Sequence, residues 1–328
     1  MPVALLFIDG VGIGRRDPAI NPLARDACAD HLLARFLDDD ENEDGGGLSP
    51  RPLPFGGVAT SVETTFGVPG RPQSASNQTA ILTGLPAPRL TGRHVLGFPD
   101  APLRALLAEH AVPKRLRAHG LRATFANAYP AGYLDALGLR RRGPSDANAE
   151  VVIPERARRK IRPSATTLAM AAGEVPLRTF DDARRAEGLT HDIHARLARG
   201  RGFDVPERSP EEAAEIFWRI CGEAEFTLFE HYLADEAGHA QDFALAQEAL
   251  CTFDAFARAV AVNRPRDAHV LVCSDHGNVE DLGTRSHTLH RVPALYFGPS
   301  AEAVVSQLQT VADVGLVILR LLGVEPRP

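Results

Sequence analysis

Carboxylate and imidazole side chains stand at the ends of apolar runs in this sequence. The run 270–273 is typical of a buried strand, and Asp275 and His276 follow it almost directly. A second apolar run, residues 3–8, ends in Asp9. Carboxylate oxygen and neutral imidazole nitrogen together suit Zn²⁺ or Mn²⁺ better than Ca²⁺ or a soft metal. These residue types therefore predict a site for divalent metal.

Two further segments carry ligands of the same kind. In "EFTLFEHYLADEAGH" (225–239) we expect a core strand, with Asp235 at its end and His239 one turn later, both facing the same space. His287 stands shortly before another predicted strand, 293–298. In an open α/β sheet, functional groups collect beyond the carboxyl ends of the strands. Each residue alone is also consistent with an ordinary turn, but their shared placement favours one common site.

Ser74 is the candidate nucleophile. The segment 72–84, "PQSASNQTAILTG", becomes helical from about Ala75, which places Ser74 at or just before a helix N-terminus. A hydroxyl there meets unpaired N–H groups and the positive end of the helix dipole. The same position suits a plain N-cap and a metal-activated nucleophile that receives a phosphoryl oxygen at the helix end. From the residues alone, both interpretations stay open.

The elements that must position these residues alternate between strand and helix across 1–131 and 208–328. This alternation predicts a metal-binding α/β core: a doubly wound, mostly parallel sheet flanked by helices. Ser209-Pro210-Glu211-Glu212 predicts a capped helix start. The stretch 132–207 fits the alternation less well and is rich in arginine, so we interpret it as an inserted lid.

Arginines in the predicted lid are candidate substrate ligands. A guanidinium group can bind a phosphate or carboxylate with two parallel hydrogen bonds. A solvated helical face is an equally good interpretation of the same charges. The candidates are Arg156, Arg158, Arg159 and Arg162.

Composition narrows the class of protein. The chain has 328 residues and a net charge of −6, which gives no support to nucleic-acid binding. No apolar run approaches the roughly 18 residues of a membrane helix, and the run 3–8 is too short for a signal peptide. The four cysteines form no CxxC pair, so neither a zinc knuckle nor a disulfide scaffold is indicated. We expect a soluble cytoplasmic protein, with no indication of its oligomeric state.

Taken in order, these motifs resemble those of the alkaline phosphatase superfamily. The match is greatest to its metalloenzyme branch, which includes cofactor-independent phosphoglycerate mutase and phosphopentomutase, and it covers about 1–95 and 208–328. The resemblance implies two divalent ions, Zn²⁺ or Mn²⁺, with Asp235, His239 and His287 around one ion. It implies Asp9, Asp275, His276 and the Ser74 hydroxyl around the other. The motifs are "FIDGVGIG", "PQSASNQTAILTG", "HYLADEAGH", "CSDHGNVED" and "SHTLHRVP".

The resemblance also implies a reaction. A two-metal enzyme of this kind transfers the phosphoryl group of a small phosphorylated substrate through a phosphoserine, here at Ser74. Two departures from the mutases stand out. Asn77 and Gln78 stand where the mutases carry a Gly-His pair, so the role of that histidine does not carry over to this chain. The large sugar-phosphate domain of the mutases is not recognisable, and because a mutase must hold its intermediate away from water, this absence favours a phosphomonoester hydrolase over a phosphomutase. A phosphodiesterase or phosphonate hydrolase, and a catalytically silent metal-binding scaffold, are the remaining alternatives.

Overall fold

The computed structural model describes residues 1–28, 30–36, 49–139 and 161–325. In these residues a seven-stranded sheet forms the centre of the molecule, and a separate pair of two-residue strands lies beside it. The strands are β1 Val3–Ile8, β2 Arg51–Leu53, β3 Gly57–Val62, β4 Ala123–Phe125, β5 Ala128–Tyr129, β6 Arg178–Thr179, β7 Phe226–His231, β8 His269–Cys273 and β9 Val292–Phe297.

Helices cover both faces of the sheet. Short 3-10 turns at Pro22–Ala24, Asp26–Cys28, Leu33–Phe36 and Pro54–Gly56 shape the N-terminal part of the chain. The α-helices are α1 Ser74–Thr83, α2 Ala87–Thr91, α3 Ala101–His110, α4 Val112–Ala118, α5 Ala131–Leu137, α6 Ala165–Ala172, α7 Phe180–Arg184, α8 Arg196–Gly200, α9 Pro210–Cys221, α10 Leu233–Ala240, α11 Phe243–Val262, α12 Ala301–Val305 and α13 Ala312–Leu321.

The strand order in the main sheet is β2-β3-β9-β8-β1-β7-β4. Strands β8, β1, β7 and β4 are parallel to one another, whereas β9 is antiparallel to both β8 and β3, and β2 is antiparallel to β3. The predicted α/β class is confirmed, and the sheet is mixed, with five strands in one direction and β2 and β9 in the other. Because β9 runs in reverse, residues that precede it lie at the edge where β1, β7 and β8 end.

Two hydrophobic clusters sandwich the central strands. Along β1, Leu6 belongs to the cluster that contains α9 and α11, and Leu5 belongs to the cluster on the opposite face with α1 and α13. A strand buried on both faces reads as a continuous apolar run, as residues 3–8 do. Asp9 follows the last residue of β1 directly, so its polar side chain lies just beyond the buried apolar run.

The segment 225–239 differs from its predicted form. Strand β7 ends at His231, and helix α10 follows at once, so Asp235 lies in the first helical turn and His239 lies in the last. The helix forms because "LADEAGHA" is rich in good helix formers. The i,i+4 spacing still places both side chains on one face, as the prediction required.

The predicted capped helix start is confirmed at α9. The Ser209 hydroxyl accepts a hydrogen bond from the Glu212 backbone N–H at 3.2 Å, and the Glu212 carboxylate accepts one from the Ser209 N–H at 2.8 Å. This reciprocal pair satisfies two backbone donors that the helix itself leaves unpaired.

The described part of residues 132–207 packs against the sheet. In α6, Ala169 and Met170 are fully buried in the same cluster as Phe125 of β4. Arg162 is exposed, and the other proposed substrate ligands, Arg156, Arg158 and Arg159, lie outside the described residues. The lid and its boundaries stay a prediction.

Within the described residues, no helix has the combined length and apolarity that crossing a membrane requires.

Candidate active site

Asp9, Asp275 and His276 converge at the ends of the adjacent strands β1 and β8. The His276 Nε2 atom lies 3.4 Å from Asp9 Oδ1 and 3.4 Å from Asp275 Oδ2. One potential ligand atom from each residue lies within 4.8 Å of the other two. Asp275 and His276 are completely buried, and Asp9 is 7% exposed. The three side chains thus form a compact donor set beneath the surface.

Ser74 is the first residue of α1 and faces this set. Its Oγ atom lies 2.9 Å from His276 Nε2. The N-cap residue of the helix is Gln73, whose side chain makes no capping hydrogen bond. The Ser74 hydroxyl is therefore directed at the acidic and imidazole groups instead of closing the helix end.

Asp235, His239 and His287 form the neighbouring set. His239 Nε2 lies 3.3 Å from Asp235 Oδ2, and His287 Nε2 lies 3.7 Å from Asp235 Oδ1. The two imidazole Nε2 atoms are 3.3 Å apart. Backbone carbonyls fix both rings, because His287 Nδ1 lies 2.8 Å from Pro72 O and His239 Nδ1 lies 2.9 Å from Arg285 O. The Nε2 atoms are thereby directed at the carboxylate between them.

The two sets are continuous. The rings of His276 and His287 stack with their centroids 3.7 Å apart. Potential ligand atoms of Asp235, His276 and His287 also lie within 4.8 Å of one another. The structure therefore brings all seven predicted residues, six ligands and Ser74, to one edge of the sheet.

The buried carboxylates carry perturbed pKa values. Burial, followed by repulsion from Asp275, raises the pKa of Asp9 well above its usual range. Burial and the charge of Asp235 raise the pKa of Asp275 to about 7. Two carboxylates that face each other in a dry site resist ionisation together, and a bound cation relieves that repulsion.

The imidazoles around Asp235 are perturbed in opposite directions. Burial, with the neighbouring His276, lowers the pKa of His287 to about 4, so its ring is neutral and able to bind metal. The hydrogen bond to Asp235 raises the pKa of His239 to about 9. Burial opposes ionisation of Asp235, but His239, His276 and Asn278 together hold its pKa well below the usual range.

The donor set fits divalent cations. Among the described residues, the buried atoms Asp9 Oδ1 and His276 Nδ1 have no hydrogen-bond partner. Buried polar atoms are normally paired, so an orphaned carboxylate oxygen in a cluster of further acids and neutral imidazoles fits a cation as its partner. Carboxylate oxygens and imidazole nitrogens suit either Zn²⁺ or Mn²⁺.

Three amide side chains hold the ligands, and the motifs did not reveal these roles. Gln78 Nε2 donates to Asp9 Oδ2 at 3.2 Å and to Asp275 Oδ2 at 3.1 Å. Asn77 Nδ2 donates to the Asp275 carbonyl at 2.8 Å, and Asn278 Nδ2 donates to Asp235 Oδ1 at 2.7 Å. The two residues that depart from the mutase pattern thus hold Asp9 and Asp275 in place.

Replacing Gln78 with alanine is expected to weaken metal binding about 10- to 100-fold, because the carboxylates of Asp9 and Asp275 lose the amide that orients both. Metal titration of chelator-treated protein measures this change. The exposed Gln307 supplies the control, and Gln307→Ala should bind metal like the parent. Unchanged affinity in Gln78→Ala would show that the amide has no positioning role.

Glu280 supports the loops that carry the site. Its carboxylate accepts hydrogen bonds from the N–H groups of Gly12 at 2.9 Å and Asn278 at 2.7 Å, and it lies 3.0 Å from His290 Nδ1. A Cβ atom on Gly12 would lie 2.2 Å from a Glu280 carboxylate oxygen, so only glycine allows this approach. The fully buried acid was missed because a charged residue in "GNVED" looks like an ordinary loop residue.

Sequence comparison supports this description. Residues 205–326 match the sequence model of the Metalloenzyme superfamily. A 2,3-bisphosphoglycerate-independent phosphoglycerate mutase of Haloarcula marismortui is 33% identical over 100 residues, which cover 28% of this chain and 19% of that protein. A phosphopentomutase of Helicobacter pylori is 30% identical over 102 residues, covering 31% of this chain and 24% of that protein. The aligned segments thus span about a fifth to a quarter of the length of these relatives.

Structure comparison supports the fold. The alkaline phosphatase of the Antarctic bacterium TAB5 superposes with a TM-score of 0.50 and 13% sequence identity, over 98% of each chain. The resemblance predicted from the ordered motifs is confirmed at the level of the fold and of the C-terminal family match.

Proposed function

We propose that this chain, whose residues 205–326 match the Metalloenzyme superfamily, transfers the phosphoryl group of a small phosphomonoester through Ser74. One observation carries the proposal. The Ser74 hydroxyl lies 2.9 Å from His276 Nε2, in a cluster of six residues of metal-ligand type that includes His276. A serine in such a cluster at a helix N-terminus has the groups that phosphoryl transfer needs.

The residues of the cluster would bind two ions in two separate groups. Asp235, His239 and His287 would hold one divalent ion, and Asp9, Asp275 and His276 would hold the other. When bound, the ions would acidify the Ser74 hydroxyl and neutralise charge on the phosphoryl group. The first N–H groups of α1 have no partner within the helix and would receive a non-bridging phosphoryl oxygen.

The covalent step follows from this placement. The Ser74 oxygen loses its proton and attacks phosphorus, a new O–P bond forms, and the bond to the substrate alcohol breaks. The leaving alcohol oxygen takes up a proton. Water then attacks the phosphoserine, releasing inorganic phosphate and restoring the hydroxyl.

We favour hydrolysis because water reaches this edge of the sheet. The His239 side chain is 45% exposed, and Ser74 is only half-buried. A mutase has to keep water from its phosphoserine until a second substrate hydroxyl attacks. The second candidate function is nevertheless phosphomutase activity, because both sequence relatives described above are mutases.

A panel assay distinguishes the two candidates. Protein loaded with Mn²⁺ or Zn²⁺ is incubated with p-nitrophenyl phosphate, pentose phosphates and phosphoglycerates, and ³¹P NMR follows the products. Hydrolysis is expected to appear as inorganic phosphate, abolished by EDTA and restored by added metal. Positional isomers without free phosphate would establish the mutase instead. No turnover of any ester by folded, metal-loaded protein would favour the catalytically silent scaffold.

A further inference from the structure

A second group of potential metal ligands lies outside the active site. Cys28 ends the 3-10 turn Asp26–Cys28, His31 follows three residues later, and Cys251 lies on α11. The two Sγ atoms and a ring nitrogen of His31 all lie within 4.8 Å of one another. Residues distant in sequence thus bring two sulfurs and one imidazole nitrogen to a single point, and none of them belongs to the active site.

One ring nitrogen of His31 lacks a hydrogen-bond partner among the described residues. His31 is 9% exposed, and its Nδ1 atom is buried without a hydrogen-bond partner among the described residues. Both neighbouring cysteines are free, and Cys28 is fully buried. Leaving a buried nitrogen unpaired is costly, because it has lost its hydrogen bonds to water. A cation bound between the nitrogen and the sulfurs would satisfy it.

Asp254 holds the two halves of this group together. It lies three residues after Cys251 on α11, and its Oδ1 atom accepts a hydrogen bond from the Leu32 backbone N–H at 2.6 Å. Its Oδ2 atom accepts a hydrogen bond from Arg258 Nε. The carboxylate is therefore already engaged, and it fixes the loop that carries His31 beside the helix that carries Cys251. This support pre-organises the three ligands.

We propose that Cys28, His31 and Cys251 form a zinc-type metal site that fastens the N-terminal loop to helix α11. Two thiolates and one imidazole are softer donors than the carboxylates of the active site, so this site would select Zn²⁺ over Mn²⁺. A water molecule would complete a four-ligand set. On binding, each thiol transfers its proton to solvent and its sulfur electron pair to the ion, with no change of oxidation state.

Metal binding has to displace protons from the two cysteines. The thiolate is the form that ligates a metal, and an ordinary cysteine thiol is mostly protonated at neutral pH. Release of about two protons per ion, measured in weakly buffered solution, is a direct consequence.

Cobalt distinguishes this site from the active site. Reduced, chelator-treated protein is titrated with Co²⁺, and absorbance reports sulfur-to-cobalt charge transfer, which carboxylate and imidazole ligands do not produce. The parent is expected to develop this band with one equivalent bound at the site. Cys251→Ser should lose the band, and His31→Gln should weaken the site at least tenfold. Cys221→Ser, a buried free cysteine outside the group, should retain it.

Several outcomes would overturn the proposal. The band would be absent from the folded parent protein, or it would persist unchanged in Cys251→Ser. A Cys28–Cys251 disulfide found by mass analysis of the protein purified without reductant would also exclude it. Cys251 is only partly buried, and far-UV circular dichroism verifies that its variant folds. Phosphoester turnover with Mn²⁺ should be the same in Cys251→Ser and the parent, so the two metal sites are tested independently.

Discussion

Ser74→Ala is expected to lower phosphoester turnover by about 10³-fold or more, while the fold and metal binding persist. The substitution removes one hydroxyl from a half-buried position, and the proposed ligands Asp235, His239 and His287 are left unchanged. Without the hydroxyl no phosphoserine can form, so only slow direct attack by water remains. Initial rates with p-nitrophenyl phosphate and metal analysis of both proteins measure the effect.

Covalent trapping tests the same residue independently. Parent protein mixed briefly with substrate and quenched in acid should carry one phosphate on the peptide that contains Ser74. The peptide from Ser74→Ala should carry none. A Ser74→Ala variant with full activity would contradict the covalent mechanism and leave direct hydrolysis as the reaction.

Ser76→Ala is the matched control. Ser76 lies in the same helix, but its hydroxyl donates to the Gln73 carbonyl at 3.0 Å and accepts from the Val95 N–H at 3.1 Å. Its oxygen is thus engaged in holding the backbone. We expect turnover within a few-fold of the parent and a loss of about 1 kcal/mol in the free energy of unfolding.

The sequence predicted the fold where the local signal was strong. The apolar runs 3–8 and 270–273 correspond to β1 and β8, and the capping box starts α9 as expected. The reversed direction of β9 was not predictable, because an apolar run carries no information on its neighbours in the sheet. The predicted form of segment 225–239 was wrong. Its apolar first half forms β7, but the helix propensity of its second half starts α10, which the prediction did not include.

In the candidate site, too, some residues were predictable from the sequence and others were not. Residue type and the order of the motifs predicted the seven central residues, and the structure brings them together although Ser74, Asp235 and His239 lie on helices and not at strand ends. The roles of the residues that position them were not predicted, because their hydrogen-bond partners are remote in sequence. Gln78 reaches Asp275 across 197 positions, and Glu280 reaches Gly12 across 268. No local sequence pattern predicts such contacts, because the partners come together only in the folded chain.

Asp9→Asn is expected to change stability in opposite directions with and without metal. In the metal-free protein, Asp9 and Asp275 are buried together. Burial and the charge of Asp275 raise the pKa of Asp9, and burial and the charge of Asp235 raise the pKa of Asp275. A carboxyl group whose pKa is raised on folding destabilises the fold increasingly as pH rises from its unfolded value toward its folded value. For Asp275 this window runs from 3.8 to about 7. Removing one of the two charges should therefore stabilise metal-free protein at pH 7.5 by about 1–3 kcal/mol.

With metal bound, Asp9→Asn is expected to destabilise the protein relative to the parent. Ions bound at the site stabilise the parent by about 2.7 kcal/mol when the free metal is 100 times the dissociation constant. Asp9→Asn removes one anionic ligand, so most of this gain should disappear along with turnover. Thermal unfolding at pH 7.5 in EDTA and then in Mn²⁺ or Zn²⁺ measures both changes in stability. The exposed Asp267 supplies the control, and Asp267→Asn should change stability in neither condition.

If Asp9→Asn unfolds at a lower temperature than the parent in EDTA, the acidic cluster is a structural network that is satisfied without a cation. If the variant also keeps the full stabilisation by metal, Asp9 is not a ligand. The proposal is supported only if Asp9→Asn stabilises the protein in EDTA and also loses the stabilisation by metal. That result would mean that the buried carboxylates repel one another until cations bind beside Ser74.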